Sequence, residues 1–190
     1  MFNIVLLGAP GSGKGTQAAL LKEELDLEHV STGALFREEI ASGSEIGQKA
    51  EHLIAKGHLC PDDITLDILN SHIQKHQDKR GFLLDGVPRT LKQAKMMDGI
   101  HYEFPVPIAL VINIDINDHE VISRIHKRAL EENRADDSSN EILEQRMTHY
   151  HNLTKPLINY YQKQNKLVII DGMQSIEKVF ADIVAKIKEL

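Results

Sequence analysis

The stretch that decides the fold is Gly8-Ala9-Pro10-Gly11-Ser12-Gly13-Lys14-Gly15-Thr16, between an apolar run and a segment with helical spacing. A glycine, four residues and then Gly-Lys, placed between a strand and a helix, is typical of a loop that binds phosphates. Glycines let backbone N–H groups approach phosphate oxygens, and the helix N-terminus adds a positive dipole end. Residues 11–16 are therefore predicted to bind nucleotide phosphates, with Lys14 as a positive charge and the Thr16 hydroxyl near magnesium. Gly15 stands where Ser or Thr usually follows the lysine, so the hydroxyl group of Thr16 lies one residue further along the chain than in the usual motif.

Strand and helix signals alternate outward from this loop. Apolar runs predict strands at 4–7, at a short segment ending near Val30, at 82–85, at 108–114 and at 167–170. Helical patterns separate them. Strands buried on both faces and separated by helices predict an α/β fold, a three-layer sandwich around a five-stranded parallel sheet. Residues 32–60 and 129–137 fit the alternation poorly, and are either surface elaborations or mobile elements over a site.

Length and composition narrow the possible functions. A chain of 190 residues with 42% hydrophobic residues is enough for one domain with a sizeable core. The net charge of −6 argues against broad binding to nucleic acids, but not against a local positive pocket. Cys60 is the only cysteine, which excludes an intramolecular disulfide and a cysteine-rich zinc site. The sequence has no apolar run of about 20 residues and no basic region at its start, so we expect no membrane segment and a cytoplasmic protein.

Charged residues are concentrated where a phosphate site is predicted. Arg89 follows the third strand, at the edge of the sheet where ligands of open α/β folds bind. Arg124 and Arg128 share a helix face, and Arg134 and Arg146 lie beyond them. Each arginine alone is as well explained as a surface charge, but together with a phosphate loop they predict phosphate binding. Asp85 ends a buried strand, where a magnesium ion would offset the cost of its charge.

Two further patterns have competing interpretations. Thr90-Leu91-Lys92-Gln93 matches a capping box, so Gln93 either caps its helix or binds a ligand. His72 and His76 are four residues apart and could bind zinc in principle, but no partner stands in register. Exposed helix positions are therefore the favoured prediction for both histidines.

The same residues resemble a known family. Residues 8–16, Ser31-Thr32-Gly33 with Arg37, residues 85–89, Arg124 with Arg128, and Arg134-Ala135-Asp136-Asp137 resemble the nucleoside monophosphate kinases. The resemblance is closest to adenylate kinases with a short lid. It implies one domain over 1–190, with a monophosphate-binding region at 31–60 and a lid at 127–137. It also implies Mg²⁺-dependent transfer of the γ-phosphoryl group of ATP to AMP, giving two ADP, by a monomer.

The resemblance also implies roles for particular residues. The positive charge for catalysis would come from Lys14, Arg89, Arg124, Arg128, Arg134 and Arg146. The AMP contacts would be Thr32, Arg37, Arg89, Gln93, Arg134 and Arg146, joined by the backbone of His58, Leu59, Cys60, Gly86 and Val87 and by Pro88. ATP would contact Arg128 and the backbone near Gln174, besides the phosphate loop. Magnesium would be held near Thr16 and Asp85. The sequence departs from the family at Ala34, where an acidic residue is common, and at Val87, where phenylalanine is usual.

Three other functions compete with this interpretation. A UMP/CMP kinase tends to carry Ala in place of Thr32 and Asn in place of Thr90, and this chain has neither. A GTP-dependent switch protein needs Asn/Thr-Lys-x-Asp, whereas the nearest string here, Asn165-Lys166-Leu167-Val168, lacks the Asp. The third alternative is an inactive phosphate-loop protein that only binds partners.

Overall fold

Four short apolar runs and one mostly polar segment form the strands. In a computed structural model that describes residues 2–99, 106–132 and 139–189, they are β1 (Ile4–Leu7), β2 (Glu28–Ser31), β3 (Phe82–Asp85), β4 (Leu110–Asp115) and β5 (Leu167–Asp171). All neighbouring strands are parallel, in the order β2-β3-β1-β4-β5. This confirms the predicted five-stranded parallel sheet.

Helices connect successive strands, as parallel pairing requires. Within the described residues they are α1 (Lys14–Leu25), α2 (Thr32–Ser42), α3 (Glu45–Ile54), α4 (Asp62–Lys75), α5 (Leu91–Met97), α6 (Asp118–Glu132), α7 (Asn140–His149), α8 (Pro156–Gln162) and α9 (Ile176–Lys188). A π-helical turn, Tyr150–Thr154, joins α7 to α8.

Alternate residues of each strand face opposite layers, which makes the molecule a three-layer sandwich. Val5 and Leu84 point to one layer, where they pack with Leu69 of α4 and Tyr161 of α8. Ile4, Leu83 and Ile112 are among the strand residues that point to the other layer, formed by α1 and α9. β1, β3 and β4 are buried on both faces, which explains why these central strands read as nearly continuous apolar runs.

The insertion after β2 has its own small core. Phe36, Ala50, Cys60 and Ile68 pack together, so α2 and α3 are fixed against α4. The two inserted helices approach very closely at Gly47, where a Cβ atom would lie 2.1 Å from the carbonyl oxygen of Glu39. Only glycine allows this contact.

Part of a segment that fits the alternation poorly is nevertheless regular. Residues 129–132 continue α6, because Ala129-Leu130-Glu131-Glu132 are all good helix formers. In the described part of the chain, no helix is long and apolar enough to cross a bilayer.

Candidate active site

The carboxyl ends of the strands open into one cleft of about 940 Å³. Its walls come from loops and helices far apart in sequence. They are the phosphate loop, the insertion after β2, residues that follow β3 and β5, and parts of α6 and α7 with the π-helical turn. Ligands of open α/β sheets bind at this edge, so the topology alone marks the cleft as the candidate site.

The phosphate loop forms because its glycines adopt backbone angles that other residues avoid. Gly8, Gly11 and Gly13 have φ values of 147°, 75° and 98°. Gly13 is the N-cap of α1 and makes no side-chain cap bond, so the first N–H groups of the helix face the cleft. The loop thereby presents backbone donors and a positive helix end to an anion.

Lys14 is the cation at the centre of this loop. Its Nζ donates to the carbonyl oxygens of Gly8 and Ala9 at 2.9 and 2.8 Å. Burial lowers the pKa of Lys14 to about 8, and Asp85 opposes the change while Arg89, Arg146 and Arg128 add to it. A cation held at this cost is stabilised by any phosphate that enters, because the anion compensates both the burial and the neighbouring positive charges.

Asp85 faces Lys14 from the end of β3. Burial alone would raise the pKa of Asp85, but His29, Lys14 and Arg89 together hold it below its ordinary value. The His29 Nε2 atom lies 3.9 Å from Asp85 Oδ2, since β2 and β3 are neighbours in the sheet. The carboxylate is therefore ionised at neutral pH and available as an oxygen ligand for a hard cation.

Five of the six arginines predicted for the site line the same cleft: Arg37, Arg89, Arg124, Arg128 and Arg146. Arg124 is positioned by Glu120 Oε1, 2.7 Å from its Nε, and by the carbonyl of Gly172, 3.0 Å from an Nη atom. Arg134, with most of the predicted lid, lies outside the described residues. The arginines come from α2, the β3–α5 loop, α6 and α7, so the fold gathers them from four places in the chain.

The loop after β3 is built around one carbonyl group. Thr32 Oγ1 and Arg89 Nε both donate to the oxygen of Gly86, at 3.0 and 2.9 Å. Gly86 has φ +84°, and a Cβ atom there would come within 2.8 Å of Thr32 Oγ1. The insertion after β2 and the loop after β3 are thus joined at this point, with a threonine and an arginine oriented at the cleft.

Gln93 caps its helix and also lines the cleft. Thr90 is the N-cap of α5 and accepts from the Gln93 backbone N–H, which confirms the capping motif. Gln93 Oε1 accepts from the Arg89 backbone N–H at 2.6 Å, one residue before the position a capping box uses. The cap occupies the oxygen, which leaves the Nε2 amide as the group for a ligand contact.

Other predicted residues divide into two groups. The first group lines the cleft: His58, Leu59, Cys60, Pro88 and Gln174. Burial raises the pKa of the Cys60 thiol to about 11, so this thiol stays protonated at neutral pH and is a poor nucleophile. The Val87 side chain does not line the cleft; it is buried in the core with α4 and α5.

Comparison with known proteins agrees with this geometry. Residues 6–166 match the model of the family described as adenylate kinase. The chain is similar to the adenylate kinase of Phocaeicola vulgatus, with 38% identity over 100% of both chains. It is also similar to that of Stenotrophomonas maltophilia strain R551-3, with 42% identity over 97% of this chain and 98% of the relative. The chain belongs to the adenylate kinase family. It is therefore a phosphotransferase.

Sequence reasoning missed several residues that line this cleft. His149 and Tyr150 line the cleft, and His149 Nε2 lies 3.1 Å from His58 Nδ1 across the opening. Thr154 Oγ1 donates to the carbonyl of Arg89 at 2.9 Å and so fixes the loop after β3 from the far wall. The sequence holds no local signal for these residues, because α7 and the π-helical turn reach the cleft only through the tertiary fold.

Proposed function

We propose that the protein catalyses reversible transfer of the γ-phosphoryl group of ATP to AMP, giving two ADP. The observation that carries this proposal is that one cleft joins a phosphate loop to a second set of phosphate-binding side chains. Its volume of about 940 Å³ is at the upper end of the range for a single-ligand pocket, which suits two nucleotides meeting end to end.

Phosphoryl transfer asks the protein for alignment and positive charge rather than covalent chemistry. The phosphate loop would hold the donor, with Lys14 at its terminal phosphates. Arg89 and Arg146 would hold the acceptor phosphate, and Arg124 and Arg128 would cover the transferred group from α6. The AMP phosphate is already an anionic nucleophile, so we invoke no general base.

Mg²⁺ fits the oxygen donors next to Lys14. Asp85 offers an ionised carboxylate, and Thr16 on the first turn of α1 offers a hydroxyl. The phosphate loop lies close to this carboxylate, since a Cβ atom built on Gly15 would be 3.9 Å from Asp85 Oδ2, in ordinary van der Waals contact. When bound, Mg²⁺ would neutralise charge on the transferring phosphates.

AMP is the proposed acceptor because of Thr32 and Gln93. Thr32 stands where pyrimidine-specific relatives tend to carry Ala, and Gln93 has an amide group that can pair with an adenine edge. Polar groups at a buried site discriminate strongly, since the wrong base would leave them unpaired. Both residues are only 2% exposed, so an unpaired amide there would be costly.

The remaining predicted features belong to the same proposal. Residues 31–60 would close on AMP as a small unit, which their separate core supports. Residues 127–137 would form a metal-free lid, with Arg134 acting when it is closed. We also propose a monomer in the cytoplasm, which light scattering and cell fractionation test.

An acceptor panel tests the proposal. Purified protein with Mg²⁺ and ATP is offered AMP, CMP, UMP or GMP, and ADP formation is followed by a coupled assay. We expect AMP to be preferred and no ADP without an acceptor. Preference for CMP or UMP would indicate the pyrimidine kinase, and ATP loss without acceptor would indicate a hydrolase.

A further inference from the structure

Three side chains that can bind metals meet at the amino edge of the sheet, away from the cleft. Glu28 is the first residue of β2, and His72 and His76 lie at the end of α4. One ligand atom from each lies within 4.8 Å of the other two. We call Glu28, His72 and His76 the edge triad. None of them lines the nucleotide cleft.

One nitrogen of the His76 ring is free of its backbone hydrogen bond and can serve as a ligand. His76 Nδ1 lies 2.8 Å from the His72 carbonyl oxygen, and since a carbonyl can only accept, Nδ1 carries the proton. This leaves the lone pair of His76 on Nε2. Ligating histidines typically bind a backbone carbonyl through one nitrogen and the metal through the other. The His72 and His76 rings stack with centroids 4.3 Å apart, so they already lie side by side.

His72 has a buried nitrogen without a partner. Its Nε2 atom is buried, makes no hydrogen bond, and lies 3.8 Å from Glu28 Oε1, which is beyond hydrogen-bond distance. A buried polar atom without a partner costs free energy that a bound ion would remove. Lys79 Nζ is 4.0 Å from the other carboxylate oxygen, Oε2, so Oε1 remains directed at the histidines.

We infer that the edge triad binds one Zn²⁺ ion through two imidazoles and one carboxylate, with water as the fourth ligand. Bonds of about 2.1 Å in a tetrahedral site place ligand atoms about 3.4 Å apart. The triad atoms need to approach by no more than about 1.4 Å to reach this spacing from their present separations.

The ion would link β2 to the end of α4, which are separated by more than 40 residues in the chain. Such a link stabilises the edge of the sheet without touching the nucleotides. The sequence alone predicted against zinc because it showed no third ligand in register. Glu28 supplies that ligand from a neighbouring strand.

Zinc titration of the full-length, nucleotide-free protein tests the inference. After dialysis against a chelator, calorimetry should detect one Zn²⁺ per chain at the triad. We expect His72→Gln and Glu28→Gln each to weaken zinc binding at least 10-fold. Mutation of residues that only hydrogen-bond to a metal ligand already lowers metal affinity by about 10-fold or more. Saturating zinc should raise the melting temperature of the wild type by about 5 to 10 °C at a hundredfold excess over Kd, and of neither variant.

His149→Gln is the matched control, because it removes the other close imidazole pair, His58 with His149. Its zinc affinity should equal that of the wild type. The inference is overturned if zinc does not bind, if binding survives both triad variants, or if it is lost in His149→Gln instead. Circular dichroism of each variant shows that the fold is intact, and Glu28→Gln keeps the side-chain shape if His72→Gln misfolds.

Discussion

Replacing Lys14 with methionine should abolish phosphoryl transfer and at the same time stabilise the nucleotide-free protein. The ammonium group is held in the cleft at a cost, since its pKa falls from 10.5 to about 8. At roughly 1.4 kcal/mol for each tenfold change in the acid constant, the cost is up to about 3 kcal/mol. Lys14 is only partly buried, so water in the cleft reduces this value. For a chain of this length, the melting temperature should rise by several degrees, up to about 10 °C.

The pH dependence separates this explanation from a general packing effect. Below pH 8 the lysine is charged in both the folded and the unfolded protein, and the full cost applies. Between pH 8 and 10.5 the folded protein has released the proton and the unfolded chain has not, so the wild type gains stability as the pH rises. The difference between wild type and Lys14→Met should therefore be largest below pH 8 and shrink towards pH 10.5.

Differential scanning calorimetry from pH 7 to 10, without nucleotide, measures this difference. Lys22→Met is the control, because Lys22 lies on the exposed side of the same helix with its side chain 46% exposed. It should change the melting temperature by no more than a degree or two at any pH. The reasoning is refuted if Lys14→Met melts at or below the wild-type temperature at pH 7. It is also refuted if the difference in melting temperature between the two proteins does not change with pH.

The remaining predictions concern the acceptor, the lid, the insertion and metals. Gln93→Leu should raise KM for AMP more than KM for ATP, because it removes the Nε2 amide; an unchanged AMP preference with lower stability would leave only the capping role. Arg134→Ala should lower kcat by about 10³ or more with little change in melting temperature, as for other arginines that hold a transferring phosphate; near-normal turnover would remove it from the catalytic set. Gly47→Ala should lower the melting temperature by several degrees, since its Cβ atom meets the Glu39 carbonyl and overpacking costs about 1–3 kcal/mol; an unchanged melting curve would show that α2 and α3 can separate freely. Zinc chelation with Mg²⁺ in excess should leave turnover unchanged, because the edge triad lies outside the cleft; a loss of activity in protein that stays folded would contradict a metal-free lid.

Local patterns explain why the fold and the phosphate loop could be predicted from the sequence. The loop glycines and the lysine lie within nine residues, and the strands buried on both faces are unbroken apolar runs. The Thr90–Gln93 cap was equally local, and the structure confirms it. The last turn of α6 is less evident from the sequence, because its residues are mostly polar and weakly periodic, although Glu131 and Glu132 are strong helix formers.

Contacts between distant segments could not be predicted in the same way. His29 reaches Asp85 only because β2 lies beside β3, with Ser31 opposite Asp85 in the register. Strand order decides this contact, and the hydrophobic pattern of a parallel sheet does not specify strand order. Glu28 meets His72 because the start of β2 lies beside the end of α4, and helix packing of this kind leaves no local signal in the sequence.

The fate of the γ-phosphate tests most directly whether the two nucleotides meet in one cleft. ATP labelled at the γ-phosphate is incubated with unlabelled AMP, Mg²⁺ and enzyme, and the products are separated after a short reaction. Direct transfer predicts that the label appears in the β-phosphate of ADP, one for each ATP consumed, and not in free phosphate. Labelled inorganic phosphate as the main product, or label retained in ATP while AMP is present, would contradict the account.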